Sequence, residues 1–316
     1  MTPRGNRSIL TKDYRILVLG GNFMRFPLYW WFLLAHFAAL LFGLVGLLLI
    51  LPNTGLIENL SPVGMQIFAF GMQSGGALYM ILGAIAVFLY SKEQLGMGRT
   101  LGFMLPAILL SLGSELLGTS TGFPFGAYAY LSGLGYKILD LVPFTIPLSW
   151  FYMGFVSFLV ACTTLRAGHH WLQRLEAIAL GAMMLTAWDF VLDPAMTQAQ
   201  YPFWEWHQDG AFFGMPLQNF AGWMGTGALF MTTASLWWGA KGHPVLPREQ
   251  LTFPLAVYVA NFLFGALLSA GAGIYPPIAL GLLLGIAPAI GLWWQSPHGK
   301  TETPASSAPV PAPANS

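Results

Sequence analysis

Residues 175–193 read LEAIALGAMMLTAWDFVLD, an apolar run of membrane length that carries two aspartates near its end. A spanning helix needs roughly 20 mostly apolar residues, and Asp189 and Asp193 stand one helical turn apart. A carboxylate inside hydrocarbon costs about 2.5–3.5 kcal/mol on insertion scales, so such a residue is functional by default unless a partner is visible. No basic residue lies close enough in sequence to neutralise either aspartate.

The rest of the chain has the same apolar character. Hydrophobic residues make up 56% of it and charged residues 8%, whereas soluble domains carry about 25% charged residues. We therefore predict an all-α, polytopic integral membrane bundle over residues 28–294. It has about eight spans, or seven if the tight turn at 271–275 does not separate the last two. The third and fourth runs contain interruptions, the fourth at Pro143 and Pro147. The predicted spans are 28–51, 63–90, 101–117, 138–165, 175–193, 219–239, 251–272 and 274–294.

Lysine and arginine positions predict the orientation. With eight spans and cytoplasmic termini, Lys137 is the one outer basic residue out of thirteen, as the positive-inside rule requires. Residues 1–27 then form a basic cytoplasmic arm, and residues 295–316 form a disordered, Pro/Ala-rich cytoplasmic tail. The first apolar run is too long for a signal-peptide core, so we expect it to remain as a span. The predicted inner basic residues are Arg4, Arg7, Lys12, Arg15, Arg25, Lys92, Arg99, Arg166, Arg174, Lys241, Arg248 and Lys300.

Depth counting brings a third acid to the level of the first aspartate. A helix rises about 1.5 Å per residue, so Glu115 lies about 21 Å above the start of its span, and Asp189 lies equally far above the start of its own. Asp193 is about 6 Å higher, nearer the interface, and we expect it to be the more solvated aspartate. A shared polar pocket for these acids is compatible with the sequence. The structural alternative is that each carboxylate bonds Ser, Thr or backbone groups between helices.

These three acids are the candidate catalytic residues. Side chains at i and i+4 share one helix face, and two carboxylates in one apolar site cannot both ionise easily. One of them then stays protonated and can donate a proton at neutral pH. We expect Asp189 or Glu115 to be the proton donor and Asp193 to tune it or to orient water.

Two outer connections are rich in Gly, Pro and aromatic residues. They are ELLGTSTGFPFGAYAY, residues 115–130, and the longer segment from Asp193 to Trp223. An aromatic belt at the interface would account for part of this composition. Irregular backbone near membrane depth survives only where protein or a cavity covers it, and aromatic faces attract cations. The candidate substrate-binding residues on this side are Trp150, Trp188, Trp223, Tyr128, Tyr130 and Asn219.

The sequence lacks the residues that several functional classes of protein require. No two of the six histidines have the i, i+3 or i, i+4 spacing of a metal site, a single cysteine excludes internal disulfides, and no lysine lies inside a span to carry retinal. There is no phosphate-binding loop or dinucleotide motif. We predict no metal, no cofactor and no nucleic-acid partner. GMQSG at 71–75 and GLLLG at 281–285 match small-residue helix-packing patterns.

Two alternative functions stay open at this point. An intramembrane prenyltransferase or other isoprenoid-modifying enzyme would use aspartates four residues apart, as Asp189 and Asp193 are. A prenyltransferase also needs a second aspartate-rich motif and basic residues for phosphates, which the outer half lacks. A membrane lipid or carotenoid transporter would use acids at mid-depth as proton relays, but the two halves show no repeat.

Four motifs in order resemble one enzyme family. They are TGFPFGAYAY after Glu115, VPFTIPLSW, TAWDFVLDP, and FWEW through GMPLQNFAGW, and they are similar to the carotenoid 1′,2′-hydratases of the CruF type, over about residues 65–240. This family includes enzymes acting on γ-carotene or lycopene ends and the bisanhydrobacterioruberin hydratases. The resemblance implies hydration of a terminal alkene to a tertiary alcohol, without a cofactor.

The same resemblance implies the partners and the location. A carotenoid would enter from the bilayer and react with water, and other carotenoid-biosynthesis enzymes are expected partners. The membrane is then a prokaryotic plasma or thylakoid membrane. The residue chemistry suits this reaction, since a neutral carboxylic acid, aromatic faces and a second carboxylate are what alkene protonation and water addition need.

Overall fold

A computed structural model of the protein describes residues 15–19, 22–166, 170–239 and 243–299. Most of the predicted N-terminal arm, residues 1–14, and most of the predicted tail, residues 300–316, lie outside the described residues. So do the predicted inner basic residues Arg4, Arg7, Lys12, Lys241 and Lys300. The described part of the predicted arm contains an antiparallel strand pair, β1 (Arg15–Leu19) with β2 (Asn22–Phe26).

Helices make up most of the described chain. They are α1 (Leu28–Val45, extended by a π-helical segment Gly46–Ile50), α2 (Thr54–Glu58), α3 (Pro62–Leu95), α4 (Met97–Thr121), α5 (Thr145–Thr164), α6 (Trp171–Gln198), α7 (Leu217–Gly239), α8 (Arg248–Gly271), α9 (Pro276–Gly281, extended by a π-helical segment Leu282–Ile286) and α10 (Ala287–Gln295). The remaining strands are β3 (Tyr128–Tyr130), β4 (Lys137–Ile138), β5 (Val142–Pro143) and β6 (Trp204–Trp206), paired as β3 with β6 and β4 with β5.

Seven helical segments are long and apolar enough to cross a membrane, which confirms the predicted all-α polytopic bundle and indicates a multi-pass membrane protein. The predicted eight spans include one more than this number. The additional one is α7, whereas the last two predicted spans are separated as α8 and α9–α10 by the turn at 272–275. The seven segments are Leu28–Ile50, Pro62–Leu95, Met97–Thr121, Thr145–Thr164, Trp171–Gln198, Arg248–Gly271 and Pro276–Gln295.

Helix α7 nevertheless runs the full height of the bundle. Near its start, the Asn219 amide donates to Asp189, close to the far end of α6. Near its end, the Trp238 indole donates to the carbonyl oxygen of Arg99, at the beginning of α4, over 2.9 Å. It packs against both α4 and α6. Because α7 joins the two ends of these helices, it forms an eighth pass through the bundle, although it is less apolar than the seven.

The centre of the bundle is α5. Of its 20 residues, 18 are buried, and it packs against α3, α4, α6 and α8. Its sequence is apolar on every side, as expected for a helix surrounded by other helices. Helices α4 and α6 flank α5, and α7 closes the other side by packing on both. This arrangement encloses the space between the acids of α4 and α6.

Two predicted boundaries are wrong for reasons connected with proline. The fourth span was expected from residue 138, but α5 begins at Thr145, because Pro143 disfavours helix in the residue before it and pairs in β5. Pro147 fits the first turn of α5, where its missing N–H has no intrahelical partner. The fifth span was expected to end at Asp193, but α6 continues through Pro194 to Gln198.

The two small-residue motifs have different surroundings. Gly281 and Gly285 lie directly against the backbone carbonyl oxygen and the Cβ atom of Ala187 on α6 respectively, which confirms close helix packing for GLLLG. In GMQSG, Gly71 packs on the ring of Phe42 in α1, but Gly75 has open space in front of it. The predicted packing role therefore holds at one end of GMQSG only.

Candidate active site

Glu115 is a buried carboxyl group with three hydrogen-bond donors. It lies on α4 and is 3% exposed. Its Oε2 accepts hydrogen bonds from the hydroxyls of Tyr128 and of Tyr130, the latter over 2.9 Å, and its Oε1 accepts one from the Trp150 indole over 2.9 Å. All three donors are neutral groups, so Glu115 is held by dipoles and not by a counter-charge.

A small antiparallel sheet brings two of these donors into place. The outer connections, predicted as irregular, pair as β3 and β6 with Tyr128 opposite Trp206 and Tyr130 opposite Trp204. Alternate residues of a strand point to one face, so these four aromatic side chains share the face toward the helices. Glu205, on the intervening position, is exposed.

The same sheet covers Asp193. The Trp206 indole donates to its Oδ1 over 2.9 Å, and the Trp204 indole donates to its Oδ2 over 3.2 Å. Asp193 is 3% exposed, so it is buried almost as fully as Asp189 and is not solvated near the interface, as the sequence had led us to expect. The reason is that α6 extends past it and that the segment after α6 folds back with two tryptophans over the carboxyl group.

Asp189 has the fewest donors of the three acids. It is 1% exposed, and its Oδ2 accepts a hydrogen bond from Asn219 Nδ2 over 2.7 Å. Among the described residues this is its one hydrogen-bond partner. The amide is additionally 2.9 Å from the sulfur of Met215, which fixes the Asn219 side chain between α6 and α7.

Three tryptophans form a continuous aromatic surface between Glu115 and Asp189. The rings of Trp150 and Trp223 are stacked with centroids 4.1 Å apart, and Trp188 meets Trp223 edge to face at 5.9 Å. Stacked and edge-to-face pairs of this kind are favourable by about 0.5–1.5 kcal/mol beyond the area they bury. The three rings therefore stabilise one another, and all three line the cavity that contains the acids.

These side chains line one cavity of about 50 Å³. A single water molecule needs about 10–15 Å³ of such volume, so the cavity has room for a few waters. The structure brings together all nine residues predicted from the sequence, which are Glu115, Asp189, Asp193, Trp150, Trp188, Trp223, Tyr128, Tyr130 and Asn219. Glu115 and Asp189 meet across this cavity because α5 and α7 hold α4 and α6 apart.

The tyrosines of β3 remain protonated, and thus hydrogen-bond donors, at neutral pH. Burial, with the neighbouring carboxylate of Glu115, raises the pKa of Tyr128 and of Tyr130 well above the ordinary tyrosine value. The outer lysine does not reach the acids, since the Lys137 ammonium donates to the carbonyl oxygen of Tyr130 over 2.5 Å. In the part of the chain that the structure describes, no three His, Cys, Asp or Glu residues could share a metal ion.

Two groups of residues at the site were not predicted from the sequence. Trp204 and Trp206 were recognised only as aromatics of the outer side, although the alternation in FWEW signals a strand with both rings on one face. A buried polar network was missed as well. His36 Nδ1 donates to the Tyr79 carbonyl oxygen over 2.7 Å, and its Nε2 accepts from Asn261 over 3.0 Å.

This network supports the aromatic surface from behind. The Asn261 side-chain oxygen accepts from the Tyr152 hydroxyl over 3.0 Å, and its backbone carbonyl accepts from the Trp188 indole over 3.2 Å. Polar residues inside apolar runs are costly, and His36 and Asn261 carry that signal in the sequence. Their contacts fix Trp188 and the backbone at Tyr79.

The fold and the site together define a class of protein. It is a multi-pass helical membrane protein with three carboxyl groups in one cavity, where each carboxyl group accepts hydrogen bonds from neutral donors. The cavity is lined by aromatic side chains and has room for a few water molecules. Carotenoid biosynthesis proteins match residues 75–288 of the chain, and the chain belongs to this family. The matched range contains all nine predicted site residues, and the match confirms the resemblance found in the sequence.

A curated relative points in the same direction. Over 134 residues the chain is 35% identical to the bisanhydrobacterioruberin hydratase of Haloarcula japonica. The aligned part is 42% of this chain and 43% of that protein, so the chain spans less than half the length of this relative. No solved structure matches the chain.

Proposed function

We propose that the protein is a carotenoid 1′,2′-hydratase. It adds water across the terminal 1′,2′ double bond of an acyclic carotenoid end of the γ-carotene or lycopene type and gives a 1′-hydroxy carotenoid. The observation that carries this proposal is the cavity itself, in which three carboxyl groups with neutral donors meet an aromatic surface and room for water. Membership of the family and the similarity to a hydratase support it.

Asp189 is the proton donor in this proposal. Three donors directed at Glu115 and two at Asp193 stabilise the anions of these two acids, whereas Asp189 receives one. Asp189 is therefore the best placed to be the neutral acid, with Oδ1 left to carry the proton. Protonation of C2′ by this carboxyl group breaks the alkene π bond and leaves the aspartate as a carboxylate.

The positive charge then forms at the tertiary C1′. The faces of Trp150, Trp188 and Trp223 stabilise a cation next to them, and the Glu115 carboxylate does so by its charge. A water molecule in the cavity, which Asp193 is positioned to orient, adds to C1′, and the proton that it releases returns to the Asp189 carboxylate. The sum is the addition of one water molecule, with no change in oxidation state and with all protons returned.

The surroundings of the reaction belong to the same proposal. The carotenoid and the lipid come from the bilayer, and the enzymes that make the acyclic carotenoid end or use the alcohol are the expected partners. The membrane is a prokaryotic plasma or thylakoid membrane.

The direct test is product analysis in a host that accumulates lycopene. Expression of the chain should yield a carotenoid heavier by one water, and growth in ¹⁸O-labelled water should label the new hydroxyl. Label arriving from ¹⁸O₂ instead would assign the protein to the hydroxylases, and an unchanged carotenoid profile with γ-carotene and lycopene hosts alike would contradict the proposal. Cells with the empty vector are the control.

A further inference from the structure

A second cavity, of about 70 Å³, lies beside the acid cavity. Its walls come mainly from α1 with its π-helical segment and from α3, and they consist of glycine and apolar side chains. Among the described residues that line it, Tyr79 alone carries a polar hydrogen-bonding side chain. An apolar cavity of this kind stays dry and suits an apolar ligand.

The two cavities meet at three residues. Tyr79 of α3, Leu134 of the β3–β4 connection and Met196 of α6 line both of them. The chemical character of the walls changes at this junction, with glycine and apolar side chains on one side and the carboxyl groups on the other. Methionine is flexible and adapts its shape to what lies beside it, so the side chain of Met196 can adjust at the junction.

Glycines keep the second cavity open. Gly46 of the π-helical segment and Gly75 of α3 line it, and a Cβ atom at either position would have no protein atom within 4 Å. The backbone of both walls is thus exposed to the cavity, although tight helix packing does not require it there. This accounts for the end of GMQSG that the packing interpretation left unexplained.

We propose that this glycine-walled cavity between α1 and α3 is the binding site for the polyene chain of the substrate, which enters the acid cavity end first past Tyr79, Leu134 and Met196. The proposal rests on the proposed function for the identity of the ligand. The lining of the acid cavity includes three carboxyl groups and that of the second cavity includes none, so the apolar chain fits the second cavity and the end group reaches the acids. A conjugated chain is flat and apolar, which fits walls without side chains and without donors.

The site also explains how the terminal double bond would be chosen. With the polyene of the substrate held in the apolar cavity, the distance from the junction to the acids decides which of its carbon atoms meet Asp189. The internal double bonds remain beside apolar walls, where the Tyr79 hydroxyl is the one proton-donating group among the described lining side chains. A hydrogen bond from His36 to the backbone carbonyl oxygen of Tyr79 fixes this residue in place.

The test is retention of lycopene by the purified chain, measured as polyene absorbance per protein after extraction from a lycopene-accumulating host. Gly75→Leu adds a side chain at the cavity wall, starting from a Cβ position that has no protein atom within 4 Å. We expect it to lower retention at least tenfold, because even one methylene too many in an apolar pocket is worth about 10–200-fold. Gly113→Leu is the matched control, since Gly113 lies in a transmembrane helix, is exposed and has no atom within 4 Å of its Cβ position.

Gly46→Leu blocks the opposite wall and covers the case in which Gly75→Leu fails to fold. If Gly75→Leu or Gly46→Leu folds and still retains as much lycopene as Gly113→Leu, the proposal is overturned. The absence of polyene from the purified wild-type protein would overturn it too. Loss of co-purified phospholipid alone would show that the cavity holds a lipid acyl chain instead, and it would overturn the proposal too. Because retention does not require hydration, a chain that binds lycopene without adding water would contradict the proposed function and leave this inference standing.

Discussion

The three carboxyl groups of the cavity differ in how many donors each one receives, and the roles that we propose for them follow that number. Glu115 accepts three hydrogen bonds, Asp193 two and Asp189 one. All of these donors are neutral, so each anion would be stabilised by dipoles aimed at it. The sequence spacing identified the acids, but it contained no information on the donors, which come from distant segments.

Removal of the Glu115 charge should slow the reaction without removing the proton donor. We expect Glu115→Gln to lower hydrated product by about 10²–10³-fold, the typical effect of losing one electrostatic contact to a transition state. Product per membrane-inserted protein in the lycopene host is the measurement. Glu58→Gln changes an exposed acid of α2 and serves as the control. Equal yields from the two variants would remove Glu115 from the mechanism.

At the scale of elements, the small β3–β6 sheet organises the site. It directs Tyr128 and Tyr130 to Glu115, and Trp204 and Trp206 to Asp193. Both segments and their aromatic content were recognised in the sequence, but their pairing as strands was not predicted. Strand pairing between segments about 75 residues apart depends on how the helices between them pack, and short runs such as YAY and WEW carry little local signal of their own.

Breaking this sheet should inactivate the protein while leaving every site residue present. Ala129→Pro places a proline in the middle of β3, which removes a backbone donor and disrupts the strand pair. We expect a large loss of hydrated product with normal membrane insertion. Ala129→Val keeps the strand and should retain activity. A fully active Ala129→Pro variant would show that the sheet does not position the donors.

For the whole molecule, the apolar runs predicted the bundle well. The all-α polytopic class and most helices follow from composition and run length. The additional span, α7, is the element where that approach reaches its limit, because its glycines, threonines and tryptophans lower its hydropathy although it runs the height of the bundle. The second cavity was beyond reach, since open space between α1 and α3 depends on packing that a single sequence does not specify.

We predict that α7 also crosses the membrane, and the location of its two ends tests this topology. Asp209 precedes α7 and Val245 follows it, and both are exposed. A cysteine at position 209 should react with a membrane-impermeant maleimide in spheroplasts, and one at 245 only after permeabilisation. The native Cys162 is buried, so its background should be low. Labelling of both positions from the same side would contradict an eight-pass bundle.

The most direct test of the central claim is the effect of one atom exchange at Asp189. Asp189→Asn keeps the size of the side chain and removes the proton, and we expect hydrated carotenoid per inserted protein to fall by about 10²–10⁴-fold, the usual contribution of a general acid. Asp209→Asn, an exposed acid on the same side, should leave the yield unchanged. An Asp189→Asn variant that folds and hydrates lycopene at the wild-type level would contradict the account.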